Sequence, residues 1–268
     1  VSEPASSASG IVDVQVHDHV GLVEMRRPPH NFLSPALVEA VADALEALAR
    51  DMDVRSAVLA AQGRSFCAGA DFSGGAEGEG DGRGPVGAST TERLYAAAAR
   101  LCAIEIPFVA AVHGPAIGGG LGLAMTANFR VTCPEARFSA NFAKLGIHQG
   151  FGLSVTLPEQ LGPSRAALVL LAARRYKGDE AVELGLADRC VPASQVRATA
   201  TELAAEIAGN APLALRAINR TLRRGLADRV REATQHEAAE QLRLSASADA
   251  AEGVRAVAER RSGNFVGR

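Results

Sequence analysis

The sequence predicts an α/β fold in which strands and helices alternate first and helices alone follow. Three observations predict it. Up to Cys133, short apolar runs bounded by turn residues alternate with segments of helical apolar period. From Pro163 onward only the helical period recurs. The composition, 47% hydrophobic and 22% charged over 268 residues, is that of a globular chain with one large core or two small ones.

The opening VSEPASSASG carries neither a basic region nor an apolar core. It reads as a flexible arm over residues 1–10 and not as a signal peptide. A core over 11–195 and a helical region over 196–268 follow. Ile11–Val16 and Val20–Met25 alternate apolar with polar residues, and Asp18-His19 joins them, which is a hairpin pattern. Arg27-Pro28-Pro29 ends it. Pro35–Arg50 repeats apolar residues at Leu37, Val41, Leu45 and Leu48, with Ser34 as N-cap and proline in the first turn. Val54–Ala60 reads as a buried strand and completes a βαβ unit. The polar, glycine-rich stretch 73–89 has neither period and is expected to be mobile. A helix is expected at Thr91–Ala103 and a strand at Pro107–Val112. After a glycine-rich loop, a helix follows at Leu123–Asn128 and a strand at Phe129–Thr132. Helices are then expected at 163–175, 178–185, 195–208, 211–227, 229–245 and 249–260. There is no internal repeat.

Composition also excludes functions. A formal net charge of −2 offers a nucleic-acid backbone no electrostatic hold, and with no Trp and two Tyr there are few platforms for stacking bases. Cys67, Cys102, Cys133 and Cys190 show neither C-x-x-C nor zinc-finger spacing. They read as reduced, mostly buried thiols of a cytoplasmic protein. No apolar run reaches the roughly 18 residues that a membrane span needs.

Two strand-to-loop junctions collect small residues: Cys67-Ala68-Gly69-Ala70-Asp71 and Gly118-Gly119-Gly120. Small residues let a ligand come close to main-chain amides, and two amides converging on one point form an oxyanion hole. The same residues also suit a tight turn with close backbone packing. Neither stretch is a phosphate loop: no Gly-Lys-Ser/Thr follows, and the sixth position from Gly118 is Leu123, not glycine.

In order and spacing, five segments resemble the crotonase (enoyl-CoA hydratase/isomerase) superfamily, from about Ile11 to the end of the chain. They are Arg27-Pro28 with Asn31-Phe32-Leu33, Phe66-Cys67-Ala68-Gly69-Ala70-Asp71, Val112-His113-Gly114-Pro115-Ala116-Ile117-Gly118-Gly119-Gly120, and Ala181 with Gly185-Leu186-Ala187-Asp188. The last is the tail Ser247, Asp249, Glu252-Gly253, Glu259-Arg260-Arg261 and Phe265. The resemblance implies a spiral of ββα units with a C-terminal helical region that assembles trimers, often paired as hexamers. It implies an acyl-coenzyme A thioester as substrate and no bound cofactor. The thioester oxygen would sit between the Ala70 and Gly119 amides. Ala68, Asp71, Phe72 and Gly118 would border the ligand, and Arg27, Arg261 and Phe265 would approach the coenzyme A phosphates and adenine.

The chain departs from that pattern at the reacting groups. The two glutamates of the family's hydratases fall on Gly122 and Phe142. Aspartates that other branches use fall on Gln149 and Gly150. A general acid or base contributes roughly 10²–10⁴ in rate, so efficient two-carboxylate hydration is not expected. His148 is the nearest group that titrates around neutrality; it also suits a loop-bracing role. Phe142 and Gly122 suggest an apolar acyl pocket. Glu77, Glu79 and Asp81 of the 73–89 stretch are the other nearby carboxylates, on a segment that could close over the acyl group. The expected function is an acyl-CoA-processing enzyme that stabilises a thioester enolate. The alternatives are a non-catalytic acyl-CoA-binding protein, or a different crotonase-type reaction, isomerase or hydrolase, that uses His148.

Overall fold

A computed structural model describes residues 10–71 and 88–268. Strands β1 (Val12–His17) and β2 (Val20–Met25) form the expected hairpin, with His17 opposite Val20. Asp18 and His19 both take positive φ, 44° and 71°, which matches a two-residue turn to the twist of the strands. Helix α1 (Pro35–Arg50) starts where Ser34 Oγ accepts the Leu37 N–H, and it buries Leu37, Val41, Leu45 and Leu48. Strand β3 (Ser56–Ala61) then lies parallel to β2 and closes the βαβ unit.

Helix α2 (Ala88–Cys102) leads to β4 (Phe108–Val112), the short strand β5 (Ala116–Ile117) and α3 (Gly119–Met125). Strands β6 (Phe129–Thr132) and β7 (Arg137–Ser139), a 3₁₀ turn at Asn141–Leu145, and helices α4 (Leu153–Leu161) and α5 (Pro163–Ala172) follow. Strand β8 (Tyr176–Lys177), helix α6 (Gly178–Leu184) and strand β9 (Arg189–Cys190) complete the mixed part. Four helices end the chain: α7 (Val196–Ala208), α8 (Pro212–Leu222), α9 (Leu226–Ser245) and α10 (Ala248–Ala258). The main sheet runs β1-β2-β3-β4-β6-β9, parallel except for the hairpin, and a smaller sheet runs β5-β7-β8. Strands β3 and β4 are buried along their whole length, which accounts for their unbroken apolar runs.

Several expectations are corrected. Helix α3 begins at Gly119 and not at Leu123: the Gly122 N–H bonds the Gly118 carbonyl, so the glycines are helical. The smaller sheet and α4 have no counterpart in the sequence reading. Strand β3 starts at Ser56, because Ser56 pairs with Val20. Helix α5 stops at Ala172, where Ala173 turns left-handed at φ 46° and the chain enters β8. Ala88 and Ser89, expected in the mobile stretch, belong to α2. Residues 73–87 lie outside the described residues, as does Phe72. The four cysteines are free; Cys67, Cys102 and Cys133 are buried. Among the described residues no helix is long and apolar enough to cross a membrane.

The C-terminal helices attach in two ways. Helix α7 lies across β3 and β4, with Ala200 and Ala204 buried and the Ser56 hydroxyl donating to the Ala204 carbonyl at 2.7 Å. Helix α8 inverts the usual pattern and buries its polar face. Arg216 donates to the carbonyls of Ala49, Asp51 and Val54, and Asn219 donates to those of Ile104 and Glu105. Those carbonyls lie in the last turn of α1, in the loop after it and in the segment before β4, outside the strand ladders. The apolar side chains of α8 point outward: Leu213 is 71% exposed and Leu222 78%. Replacing Arg216 with Met keeps the apolar stem and removes the side-chain donor from three carbonyls, of which that of Val54 is buried. This substitution is expected to destabilise the fold by about 3 kcal/mol. The check is a lower urea midpoint with an unchanged slope.

Candidate active site

The two small-residue loops meet at one place. Cys67 and Ala116 form a short parallel bridge. The Cys67 N–H donates to the Pro115 carbonyl and the Ile117 N–H donates back to the Cys67 carbonyl, each at 3.0 Å. The contact tolerates no side chain at its centre, since a Cβ on Gly120 would lie 2.0 Å from the Cys67 carbonyl oxygen. Gly69 adopts φ +80°, and a Cβ there would meet the Ile117 carbonyl at 2.6 Å. Burial pushes the Cys67 thiol up to about 12, so it stays protonated and inert.

This junction forms the wall of a cavity of about 290 Å³. Ala68, Ala70, Gly118, Gly119 and Phe142, all proposed from sequence, line it together. Most amides of the two loops are engaged. Ala68 N–H bonds the His30 carbonyl and Gly118 N–H the Ser139 carbonyl, while the Gly69 carbonyl accepts the Leu33 N–H. The amides of Ala70 and Gly119 have no acceptor among the described residues. For Gly119 the reason is that it opens α3, where a helix supplies no internal acceptor.

The rest of the lining is mostly apolar: Leu33, Leu94, Leu145, Ile147 and Phe151. The space at Gly122 is already filled. A Cβ there would lie 2.7 Å from Phe151 Cβ and 2.8 Å from its Cδ1. Phe142, at the other glutamate position, sits with its ring 3.7 Å from where a Gly118 Cβ would stand. At Gly150 a Cβ would lie 2.1 Å from the Tyr95 hydroxyl and 2.7 Å from Gln241 Nε2. Tyr95 donates to Gln241 Oε1 at 2.8 Å, and Gln241 Nε2 donates to the His148 carbonyl at 2.9 Å. Burial holds the Tyr95 phenol well above its usual range, with the Glu237 carboxylate adding to the shift. The phenol is therefore neutral at any ordinary pH.

Other expected residues stand elsewhere. His148 does not line the cavity. Its Nδ1 contacts the Gln149 carbonyl at 2.8 Å and its ring stands edge-on to His236 at 5.7 Å. Gln149 donates to the Ser154 hydroxyl. His113 holds the Gly63 carbonyl. Arg27 braces the start of α1 through Ser34 Oγ at 2.9 Å. Asp71 is buried beside the junction. Arg261 is bound to the carboxylates of Glu252 and Glu259, and these guanidinium contacts hold Glu252 well below the usual carboxylate range. Phe265 is 44% exposed on the tail, and only Val257 of α10 reaches the cavity. Phe72, Glu77, Glu79 and Asp81 lie outside the described residues.

Sequence reasoning missed Thr91, Tyr95, Phe151, Arg175 and Gln241, all of which line the cavity. Tyr95 had a signal, being one of two tyrosines and lying on the apolar face of α2. The pairing of Phe151 with Gly122 had none. Among the described residues, the cavity lining contains no carboxylate, histidine, cysteine or lysine.

The model of the enoyl-CoA hydratase/isomerase family matches residues 15–268. The chain belongs to the enoyl-CoA hydratase/isomerase family. Enoyl-CoA hydratase EchA19 of Mycobacterium tuberculosis is 33% identical over 95% of this chain and 96% of its own length. A probable enoyl-CoA hydratase of Bacillus subtilis is 29% identical over 96% and 98%. In structure, an enoyl-CoA hydratase/isomerase of Pseudoalteromonas atlantica T6c superposes with a TM-score of 0.82 at 28% identity, covering 96% of this chain and all of its own. The mixed α/β architecture is that of the crotonase fold. Within this family framework, Gly122 and Phe151 should behave as one unit. Gly122→Glu is expected to destabilise the protein by about 1–3 kcal/mol through overpacking. Combined with Phe151→Ala, it should cost less than the two single changes added together. A double-mutant cycle on unfolding free energies measures that coupling.

Proposed function

We propose that this chain binds an acyl-CoA thioester and acts on it by polarising the thioester carbonyl between the Ala70 and Gly119 amides. The observation that carries the reading is that these two N–H groups lack acceptors among the described residues and that Ala70 and Gly119 line one mostly apolar cavity. Such donors favour an enolate oxygen over the neutral carbonyl, because charge grows on that oxygen in the transition state. The substrate brings its own coenzyme A, so the reading calls for no bound cofactor. Arg27, Asp71, Phe72, Arg261 and Phe265 remain candidates for the coenzyme A end. Arg261 would have to exchange its carboxylate partners for phosphate. The reaction takes place in the cytoplasm, where the thiols stay reduced.

Two-carboxylate hydration is not the reaction this cavity favours. Gly122 leaves the first position without a side chain and Phe151 fills its space. Crotonyl-CoA and longer enoyl-CoAs are expected to bind, while hydration runs slower than in a two-glutamate relative by roughly 10²–10⁴. Isothermal titration beside a turnover assay on the same ligands checks both. Failure of every acyl-CoA to bind would sink the proposal. The cavity's lack of a described carboxylate or histidine favours a second reading, a protein that binds acyl-CoA without turning it over. A screen across hydration, isomerisation and hydrolysis separates the two, and any turnover at enzymatic rates ends the second.

The outward Leu213, Ile218 and Leu222 of α8 support a homotrimer or a hexamer, since such a face is costly in water. Light scattering on the purified chain should give three or six times the monomer mass. Leu213→Glu with Leu222→Glu should lower it.

A further inference from the structure

Three of the polar residues that line the cavity stand together. Thr91 and Tyr95 stand one turn apart on α2 and share a face, and Gln241 faces them from α9, which packs against α2. Tyr95 is spent: its hydroxyl donates to Gln241 Oε1, and the Phe151 N–H faces its oxygen. Gln241 uses one Nε2 hydrogen on the His148 carbonyl, which fixes the amide's orientation and leaves the second hydrogen unassigned. The Thr91 hydroxyl has no hydrogen-bond partner among the described residues, yet it is not sealed off, and Thr91 lines the cavity. The wall between α2 and α9 therefore holds two unspent donors, apart from the cavity's other polar lining, Asn141 and Arg175.

Next to the amide of Gly119 the atoms nearest a Cβ are those of Leu33 and Phe151, whereas at Gly118 the nearest is Asn141 Oδ1, at 3.3 Å. Behind the polar wall lies a buried carboxylate, Glu237, held by the N–H groups of Gly152 and Ser154 and close enough to act on Tyr95. Its negative charge opposes an anionic group at that wall.

We propose that Thr91 and Gln241, with Tyr95 holding Gln241 in place, select an acyl group that carries an uncharged hydroxyl or keto oxygen beyond its β-carbon. The inference rests on the acyl-CoA reading, which puts the thioester at Ala70 and Gly119 and leaves the outer acyl carbons to reach α2 and α9. A plain alkyl chain would cover both donors without replacing their water, and that loss discriminates against it.

The test compares hexanoyl-CoA, 3-hydroxyhexanoyl-CoA and 5-hydroxyhexanoyl-CoA by isothermal titration with the full chain and with Thr91→Val/Gln241→Met. The full chain should bind the 5-hydroxy ligand roughly tenfold more tightly than hexanoyl-CoA, as one to two added hydrogen bonds imply. The 3-hydroxy ligand should show no such gain. In the variant the preference should fall below about twofold, with hexanoyl-CoA binding at least as tightly as to the full chain because it no longer covers the two donors. Equal binding of the 5-hydroxy and plain ligands to the full chain would overturn the inference, as would a preference that survives in the variant. Absence of binding by all three would instead bring down the acyl-CoA reading beneath it. If the variant does not fold, the contrast among the three ligands on the full chain decides.

Discussion

The site depends on one short backbone contact, the parallel bridge between Cys67 and Ala116. Two hydrogen bonds and the absence of a side chain at Gly120 let the loop after β3 and the loop after β4 lie against each other. Each loop arises at the end of a fully buried strand, so its root is rigid. The bridge uses the Cys67 and Ile117 amides and spares those of Ala70 and Gly119. Separated from each other, the loops would be ordinary turns. Held together, they bring Ala70 and Gly119, whose amides lack acceptors among the described residues, to one cavity.

A second constraint acts through volume. At Gly122 and Gly150, two positions where relatives of this fold are expected to carry reacting side chains, other residues of the same chain occupy the space. Phe151 fills the first, and Tyr95 with Gln241 fills the second. The replacements form a connected set, because Phe151 follows Gly150 directly and its N–H faces the Tyr95 oxygen. Phe151, Tyr95 and Gln241 therefore pack as one unit around Gly122 and Gly150. A close-packed interior requires this coupling, since a residue of the wrong volume is felt by its neighbours.

The helical region contributes more than a cover. Helix α9 supplies Gln241 to the cavity and Glu237 to the turn that starts α4, while α10 supplies Val257. Helix α8 spends its polar residues on carbonyls left over by α1 and by the segment before β4, which leaves its leucines facing outward. One sequence feature, a short amphipathic helix, is thereby used with its polar side inward.

The sequence by itself determined the hairpin, α1, the parallel βαβ unit and the terminal helices, because alternation and helical period are local signals that burial then reinforces. It also drew attention to the small-residue loops that hold Ala68, Ala70, Gly118 and Gly119, and the family resemblance added Phe142; all five line the cavity. It did not reach the smaller sheet, whose strands of two or three residues are too short to show a period. Nor did it reach the helical state of Gly119 to Gly122, because glycine's weak helix preference is overruled by the need to pass close to Cys67. Tertiary structure alone decided that His148 turns to His236 and away from the cavity, and that Phe151 occupies the space at Gly122. The physical reason is range: both facts depend on contacts between segments distant in the chain or on the direction of one side chain, and no local pattern encodes either.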